Sequence, residues 1–94
     1  MKKYTVVLSH RYKKSLKRWY RNKDFNEKLL KEVINFLADG EALASKHKDH
    51  QLQGFFKQYR ECHVQNDLLL VYQKQNDVLI LLLVDIGSHS ELFG

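Results

Sequence analysis

Proline is absent from this 94-residue chain, and glycine occurs only four times. The sequence therefore contains no proline- or glycine-rich stretch that would mark a linker between domains. Hydrophobic residues make up 44% of the chain, which is enough for a modest buried core at this length. We expect residues 1–94 to form a single domain.

Cysteine and long hydrophobic runs are also scarce. Cys62 is the only cysteine, so an internal disulfide is excluded and a metal site can draw on only one thiolate. The longest apolar stretches, 68–72 and 78–84, are too short to cross a bilayer, and Met1 is not followed by a secretion signal. These absences favour a reduced, cytoplasmic protein with no membrane role.

Positive charge exceeds negative charge, with 16 Lys and Arg against 11 Asp and Glu and a net charge of +5. This balance favours a polyanionic partner such as nucleic acid, or an acidic protein that covers the same surface. A merely solvated surface is the alternative. Basic residues concentrate in segments 11–23 and 46–60, which favours a binding surface.

The first half of the chain predicts one strand and two helices. Residues 4–8 are a β-branched run, and Ser9 can cap a helix whose apolar residues we expect in the core: Tyr12, Leu16, Trp19 and Tyr20. Asp24 and Glu27 form a capping-box pair ahead of a second helix, and Asp39-Gly40 marks its end.

The second half predicts a loop and then a sheet. Segment 41–54 is polar and has neither helical nor strand periodicity. Three extended segments separated by turns follow and predict an antiparallel meander: 56–64, 68–73 and 78–85. The expected fold is therefore α+β, with the element order β-α-α-β-β-β.

The meander predicts which polar residues meet. The turn at 65–67 and the outgoing end of the last strand must lie at the same edge of the sheet. We therefore expect four side chains to cluster there: His63, Asp67, Asp85 and His89. Imidazoles among cations suit metal-free RNA cleavage, because one can take the 2′-hydroxyl proton while another protonates the departing 5′ oxygen.

Other candidates have simpler explanations. His10 is expected to be solvated. His47 and His50 share a loop with Asp49, but their spacing matches no established metal-ligand pattern, so no metal site is expected. Arg60 and Glu61 can form a sheet-surface ion pair of little energetic value. Two aromatics at the site can either stack on bases or anchor packing: Tyr59 and Phe93.

Three motifs carry a family resemblance. They are Lys-Asp-His-Gln-Leu-Gln-Gly at 48–54, Tyr-Arg-Glu-Cys-His-Val at 59–64 followed by Asp67, and Gly-Ser-His-Ser-Glu-Leu-Phe at 87–93. In this order and spacing the chain resembles the YafQ branch of the RelE toxin superfamily. The resemblance implies a RelE-like fold in which two N-terminal helices pack on a small, mostly antiparallel sheet.

The resemblance also implies a function. A YafQ-like chain is the toxin of a bacterial type II toxin–antitoxin pair, an endoribonuclease that cuts messenger RNA in the ribosomal A site without a cofactor. The implied partners are mRNA, the ribosome and a DinJ/RelB-like antitoxin. The motifs place catalytic roles on His50, His63, Asp67 and His89, with His89 as general acid, His50 or His63 as base and Asp67 orienting. Residues expected to contact RNA are Lys46, Lys57, Arg60, Asp85 and Phe93.

Two positions depart from the family pattern. Asp85 stands where relatives commonly carry an arginine, and Leu68 stands where YafQ has a tryptophan. A nearby cation can substitute for the missing arginine, Asp85 can serve in the acid–base set, or the nuclease can be weakened. If positive charge is what is missing, Asp85→Arg should raise ribosome-dependent cleavage. Two alternatives therefore stay open: a noncatalytic RNA- or ribosome-binding protein, and a metal-dependent hydrolase that chelators would inhibit.

Overall fold

The computed structural model describes residues 2–94, which form five strands and three helices. The predicted α+β class is confirmed, whereas the short strand His50–Gln51 and the C-terminal helix His89–Phe93 are additions that the sequence pattern does not predict. In chain order the elements are β1 (Thr5–Leu8), α1 (His10–Trp19), α2 (Glu27–Ala38), β2 (His50–Gln51), β3 (Arg60–Gln65), β4 (Leu68–Gln75), β5 (Ile80–Gly87) and α3 (His89–Phe93), with 3₁₀ turns at Ser45–His47 and Gly54–Phe56.

The strands form one sheet in the order β1-β5-β4-β3-β2. Only β1 and β5 are parallel, and the other neighbours are antiparallel, as expected of a mostly antiparallel sheet. The register aligns His63 of β3 with Leu69 of β4, and Leu69 with Gly87 of β5. The β3–β4 turn and the outgoing end of β5 therefore share one edge, and α3 begins beside that turn.

Both long helices contribute to one hydrophobic core. Alternate residues of β3 and β4, including Cys62 and Leu70, enter this core, while Leu69 and Val71 are buried outside it. Burial raises the pKa of the Cys62 thiol far above its usual range, so this cysteine is held neutral and is not a nucleophile. The largest fully buried core side chains are Tyr12, Leu37, Leu68, Leu70, Tyr72, Leu81, Leu83 and Ile86.

Local capping determines where the helices begin and end. The Ser9 hydroxyl accepts a hydrogen bond from the Tyr12 amide, as predicted for the start of α1. The predicted Asp24 and Glu27 pair is wrong, because the side chain of Asn26 accepts from the Leu29 amide and caps α2. The predicted glycine stop is confirmed: Gly40 follows the helix with φ +78°.

Three further expectations need correction. Tyr20 is 54% exposed rather than in the core, because its hydroxyl reaches out to Glu27. The strand expected at 56–64 begins only at Arg60, since residues 54–56 form a 3₁₀ turn. The strand expected at 78–85 runs from Ile80 to Gly87.

Within residues 2–94, no helix combines the length and the apolar character needed to span a bilayer.

Candidate functional site

A buried carboxylate lies between two of the candidate histidines. The same Glu61 oxygen, Oε1, is 3.8 Å from His50 Nε2 and 3.7 Å from His63 Nε2. The Glu61 side chain is only 7% exposed, whereas the two imidazoles are 50% and 33% exposed. Either ring forms an ion pair with Glu61 when it is protonated, and both remain open to a substrate from solvent.

Strand pairing produces this arrangement. Glu61 and His63 are two residues apart on β3, so their side chains share a face of the sheet. The short strand β2 pairs antiparallel with β3 and places His50 directly opposite Glu61. This face is opposite to the core, which receives Cys62 and Val64 from the same strand.

Hydrogen bonding fixes the tautomer of His50. Its Nδ1 lies 2.6 Å from the carbonyl oxygen of Lys48, which can only accept a hydrogen bond. The Nδ1 atom therefore carries the proton, and in the neutral ring the lone pair is on Nε2. Nε2 is therefore the nitrogen that can take a proton, and the negative charge of Glu61, 3.8 Å away, favours the imidazolium that results.

His47 has a structural role. Its ring is buried, and Nδ1 donates to the backbone carbonyl of His63 across 2.6 Å, which holds the 3₁₀ turn Ser45–His47 against β3. Beside this contact is a cavity of about 340 Å³ lined by His63 together with Lys46 and Lys48. The expected RNA-contacting residue Lys46 therefore lines the same cavity as a candidate catalytic imidazole.

The C-terminal helix α3 positions His89. Ser88 and Glu91 form a reciprocal capping box, and the Asp67 carboxylate accepts a hydrogen bond of 3.0 Å from the His89 amide. Asp67 therefore fixes the start of the helix that carries His89, through backbone rather than through the imidazole. Within the polar cluster expected at this edge, Asp67 and His89 are in direct contact.

His50 on β2 and His63 on β3 are separated from His89, which follows β5, by the intervening strand β4. His63 and Gly87 are aligned across β4, which separates their Cα atoms by two strand spacings, roughly 10 Å. His89 follows Gly87 by two residues. His50 lies one strand further from β5 than His63 does, so His63 is the nearer of the two imidazoles to this end of β5.

Aromatic rings continue the site beyond His89. The centroid of the His89 ring is 5.6 Å from that of Phe93, and the Phe93 centroid is 6.1 Å from that of Phe56 in an edge-to-face arrangement. Phe93 therefore packs within the molecule and also keeps part of its ring exposed.

Asp85 is directed to α1 instead of the Glu61 group. Its carboxylate accepts hydrogen bonds from the buried Ser15 hydroxyl at 2.6 Å and from the Ile86 amide at 2.8 Å. Arg11 Nε lies 3.6 Å from the same carboxylate. A cavity of about 390 Å³ between α1 and α3 is lined by Asp85 and by three cations: Arg11, Lys14 and Arg18.

We expect Asp85→Arg to lower the free energy of unfolding by about 1–3 kcal/mol, because the buried Ser15 hydroxyl would lose its acceptor. The new guanidinium would also face the cations of α1. Urea denaturation measures the change, and Asp85→Asn is the matched control because its amide oxygen can still accept from Ser15. A stable Asp85→Arg variant that cleaves faster would instead show that positive charge is what position 85 lacks.

Arg60 belongs to the opposite face of β3. Its guanidinium contacts Asp49 at 3.4 Å and the Tyr72 hydroxyl at 3.3 Å, and Tyr72 donates a short hydrogen bond to Asp49. The expected ion pair between Arg60 and Glu61 is therefore wrong, because the side chains of consecutive strand residues point to opposite faces of the sheet. Burial, reinforced by the bond to Asp49, raises the pKa of Tyr72 far above its usual range. Arg60 and Lys57 line a separate cavity of about 580 Å³.

Glu61 is the site residue that sequence reasoning does not single out. The sequence indicates this role only in that Glu61 lies two residues before His63 on the same strand. The rest depends on the short pairing of residues 50 and 51 with β3. Within the described residues 2–94, no three His, Cys, Asp or Glu side chains are arranged as a metal-binding group.

A family model together with the shared fold defines the class of protein: a small toxin of a bacterial type II toxin–antitoxin system. The family model described as "Bacterial toxin of type II toxin-antitoxin system, YafQ" matches residues 4–94. The chain therefore belongs to the YafQ toxin family.

Similar proteins support this membership over nearly the whole chain. The mRNA interferase toxin YafQ of Escherichia coli K12 is 40% identical over 91 residues, which is 95% of each chain. The crystal structure of a metal-bound toxin from Helicobacter pylori has a TM-score of 0.89 and 48% identity, covering 96% of this chain and 99% of that one. The E. coli DinJ–YafQ toxin–antitoxin complex has a TM-score of 0.86 and 30% identity, covering 98% and 99%.

Proposed function

We propose that this chain is a ribosome-dependent endoribonuclease that cleaves mRNA by acid–base catalysis with histidines. Membership of the YafQ family supports the toxin class, and a relative over 91 residues is named an mRNA interferase. The observation that carries the chemistry is the convergence of His50 and His63 on the single buried carboxylate of Glu61. The proposed reaction is attack of a ribose 2′-oxygen on the adjacent phosphorus, with release of the 5′ oxygen.

In the first half of the reaction a base removes the 2′-hydroxyl proton. His50 is the preferred base, because its tautomer leaves Nε2 unprotonated and its ring is half exposed. Glu61 then stabilises the imidazolium through its negative charge next to Nε2, while the Lys48 carbonyl holds the Nδ1–H. His63 contacts the same carboxylate and is the alternative base.

In the second half the P–O5′ bond breaks, and the leaving oxygen takes a proton from His89. The products are a 2′,3′-cyclic phosphate and a 5′-hydroxyl, so atoms and charge balance without water or metal. Asp67 is a positioning residue in this scheme, since it holds the amide of His89 rather than its ring. The Lys46 ammonium, beside His63, is the proposed cation that stabilises the phosphorane.

The proposed partners are translating ribosomes with their mRNA, in the bacterial cytoplasm, and an antitoxin. The antitoxin proposal rests on the DinJ–YafQ complex, whose toxin chain this structure matches along its whole length. A small DinJ-like protein that covers the basic surface would block access to the histidines.

A second candidate function is RNA or ribosome binding without cleavage. The observation that favours it is Asp85, whose negative charge lines a cavity next to the C-terminal helix α3. This candidate predicts toxicity that does not depend on His89.

A cleavage assay with purified components tests the proposal. Ribosomes carrying a short synthetic message should yield a cut product with a 5′-hydroxyl end when the protein is added, and free message should be cut far more slowly. Activity should persist in excess EDTA, and a single 2′-deoxy substitution at the cut nucleotide should abolish it. Intact message on the ribosome would refute the proposal, and inhibition by EDTA would favour a metal-dependent hydrolase.

A further inference from the structure

A fully exposed phenylalanine lies in the turn Gly54–Phe56, which follows the strand that carries His50. Phe55 is 98% exposed, although a phenyl ring gains by leaving water. Its neighbour Phe56 is 49% exposed and is the ring that packs edge-to-face on Phe93. Phe55 is therefore adjacent in sequence to the ring that packs on Phe93, and Phe93 in turn contacts His89.

Backbone contacts hold Phe55 in place. Gly54 opens the turn with φ +66°, a conformation that favours glycine, and the Lys57 amide closes it by donating to the Gly54 carbonyl at 3.2 Å. The Gln51 side-chain amide donates to the Lys57 carbonyl at 2.6 Å. Since Gln51 follows His50 on β2, the turn is tied to the strand that carries the candidate base.

The turn Gly54–Phe56 is therefore connected to both halves of the proposed catalytic site. Strand β2 links it to His50, and the Phe56–Phe93 contact links it to the helix of His89. The turn therefore offers a route along which an RNA strand at the histidines can extend to Phe55, and Lys57, which also lines the separate cavity of about 580 Å³, is a cation on the same segment. An exposed aromatic next to a lysine is the combination that binds unpaired nucleobases, with the ring stacking on the base and the ammonium facing a phosphate.

We propose that Phe55 stacks on a nucleobase of the mRNA next to the cleaved step, and so contributes to substrate affinity and to the choice of cutting position. This inference rests on the proposed nuclease function and assigns it a further specificity-determining residue. The occupant is a base of single-stranded RNA, because the turn is bonded to the strand of His50 and contacts, through Phe56, the helix of His89.

Steady-state cleavage of a ribosome-bound message tests the proposal. Phe55→Ala should raise KM about 5- to 100-fold, the range expected for loss of one stacked base, and should change kcat less than about threefold. Phe55→Trp should restore KM to within about twofold, because it keeps a stacking face. Phe36→Ala is the matched control, since Phe36 is 48% exposed on α2 and should leave both constants unchanged.

An abasic nucleotide identifies the stacked base. When one position beside the cut site is abasic, the KM of the wild type should rise as much as Phe55→Ala raises it on the intact message. Combining the abasic message with Phe55→Ala should give no further increase in KM. Full additivity at every position, or an unchanged KM and cut-site pattern for Phe55→Ala, would overturn the proposal. So would an unchanged KM combined with weaker antitoxin binding, which would make Phe55 a protein contact.

Binding can be measured apart from cleavage. The His89→Ala protein is bound to ribosomes that carry a message with a 2′-deoxy cut nucleotide. Introducing Phe55→Ala into this protein should make it dissociate from the complex about 5- to 100-fold faster. If the wild type cleaves but this difference is absent, Phe55 is not a stacking residue. If the wild type does not cleave, the nuclease proposal fails, and the binding difference alone decides the role of Phe55.

Discussion

His89→Ala is expected to lower the kcat of message cleavage on the ribosome by about 10²- to 10⁴-fold, the usual contribution of a positioned general acid. KM should change little, because the His89 amide remains bonded to Asp67 and the Ser88–Glu91 capping box remains intact. Single-turnover cleavage under saturating protein measures the chemical step directly. His10→Ala is the matched control, since it removes an exposed imidazole from the first residue of α1.

A modified leaving group separates the acid from the base. A message whose 5′-bridging oxygen at the cut site is replaced by sulfur has a leaving thiolate that needs no proton. This substrate should restore cleavage by His89→Ala to near the wild-type rate, but it should not restore cleavage by His50→Ala, because the 2′-hydroxyl proton must still be removed. Rescue of both variants, or of neither, would contradict the proposed roles.

Much of the fold is predictable from local sequence signals. The run at 4–8, the Ser9 cap and the glycine after α2 each act through neighbouring residues, and the structure confirms them. The strand boundaries are less predictable, because turns shorten them: Leu79 has φ +54°, so β5 starts at Ile80. Helix α3 is not predicted, although Ser88 and Glu91 have the spacing of a capping box, which is a sequence signal for a helix start.

The candidate site is only partly predictable. Sheet topology alone brings the His63 strand and the start of α3 to one edge, and this follows from the order of the meander. Two features depend on contacts distant in sequence and cannot be read from spacing. One is the two-residue pairing that puts His50 opposite Glu61, and the other is the hydrogen bond that turns Asp85 toward Ser15.

Glu61→Gln should lower kcat by about 10²-fold with little change in KM. Two unit charges 4 Å apart interact by about 4 kcal/mol at an effective dielectric constant of about 20, which sets a ceiling near 10³-fold. The imidazole of His50 is half exposed, so solvent screens part of this energy and the expected loss is smaller. The amide keeps the size of the side chain but not its charge, and single-turnover cleavage measures the effect.

Two comparisons separate the charge of Glu61 from its packing. Glu32→Gln removes an exposed carboxylate from α2 and should leave kcat unchanged. Glu61→Asp keeps the charge but shortens the side chain by one methylene, so it should retain more activity than Glu61→Gln. If Glu61→Gln cleaves at the wild-type rate while thermal unfolding shows an intact fold, no imidazolium forms beside residue 61 during the reaction. Equal losses in the Gln and Asp variants would instead mean that the position of the carboxylate, and not only its charge, controls the proton transfer.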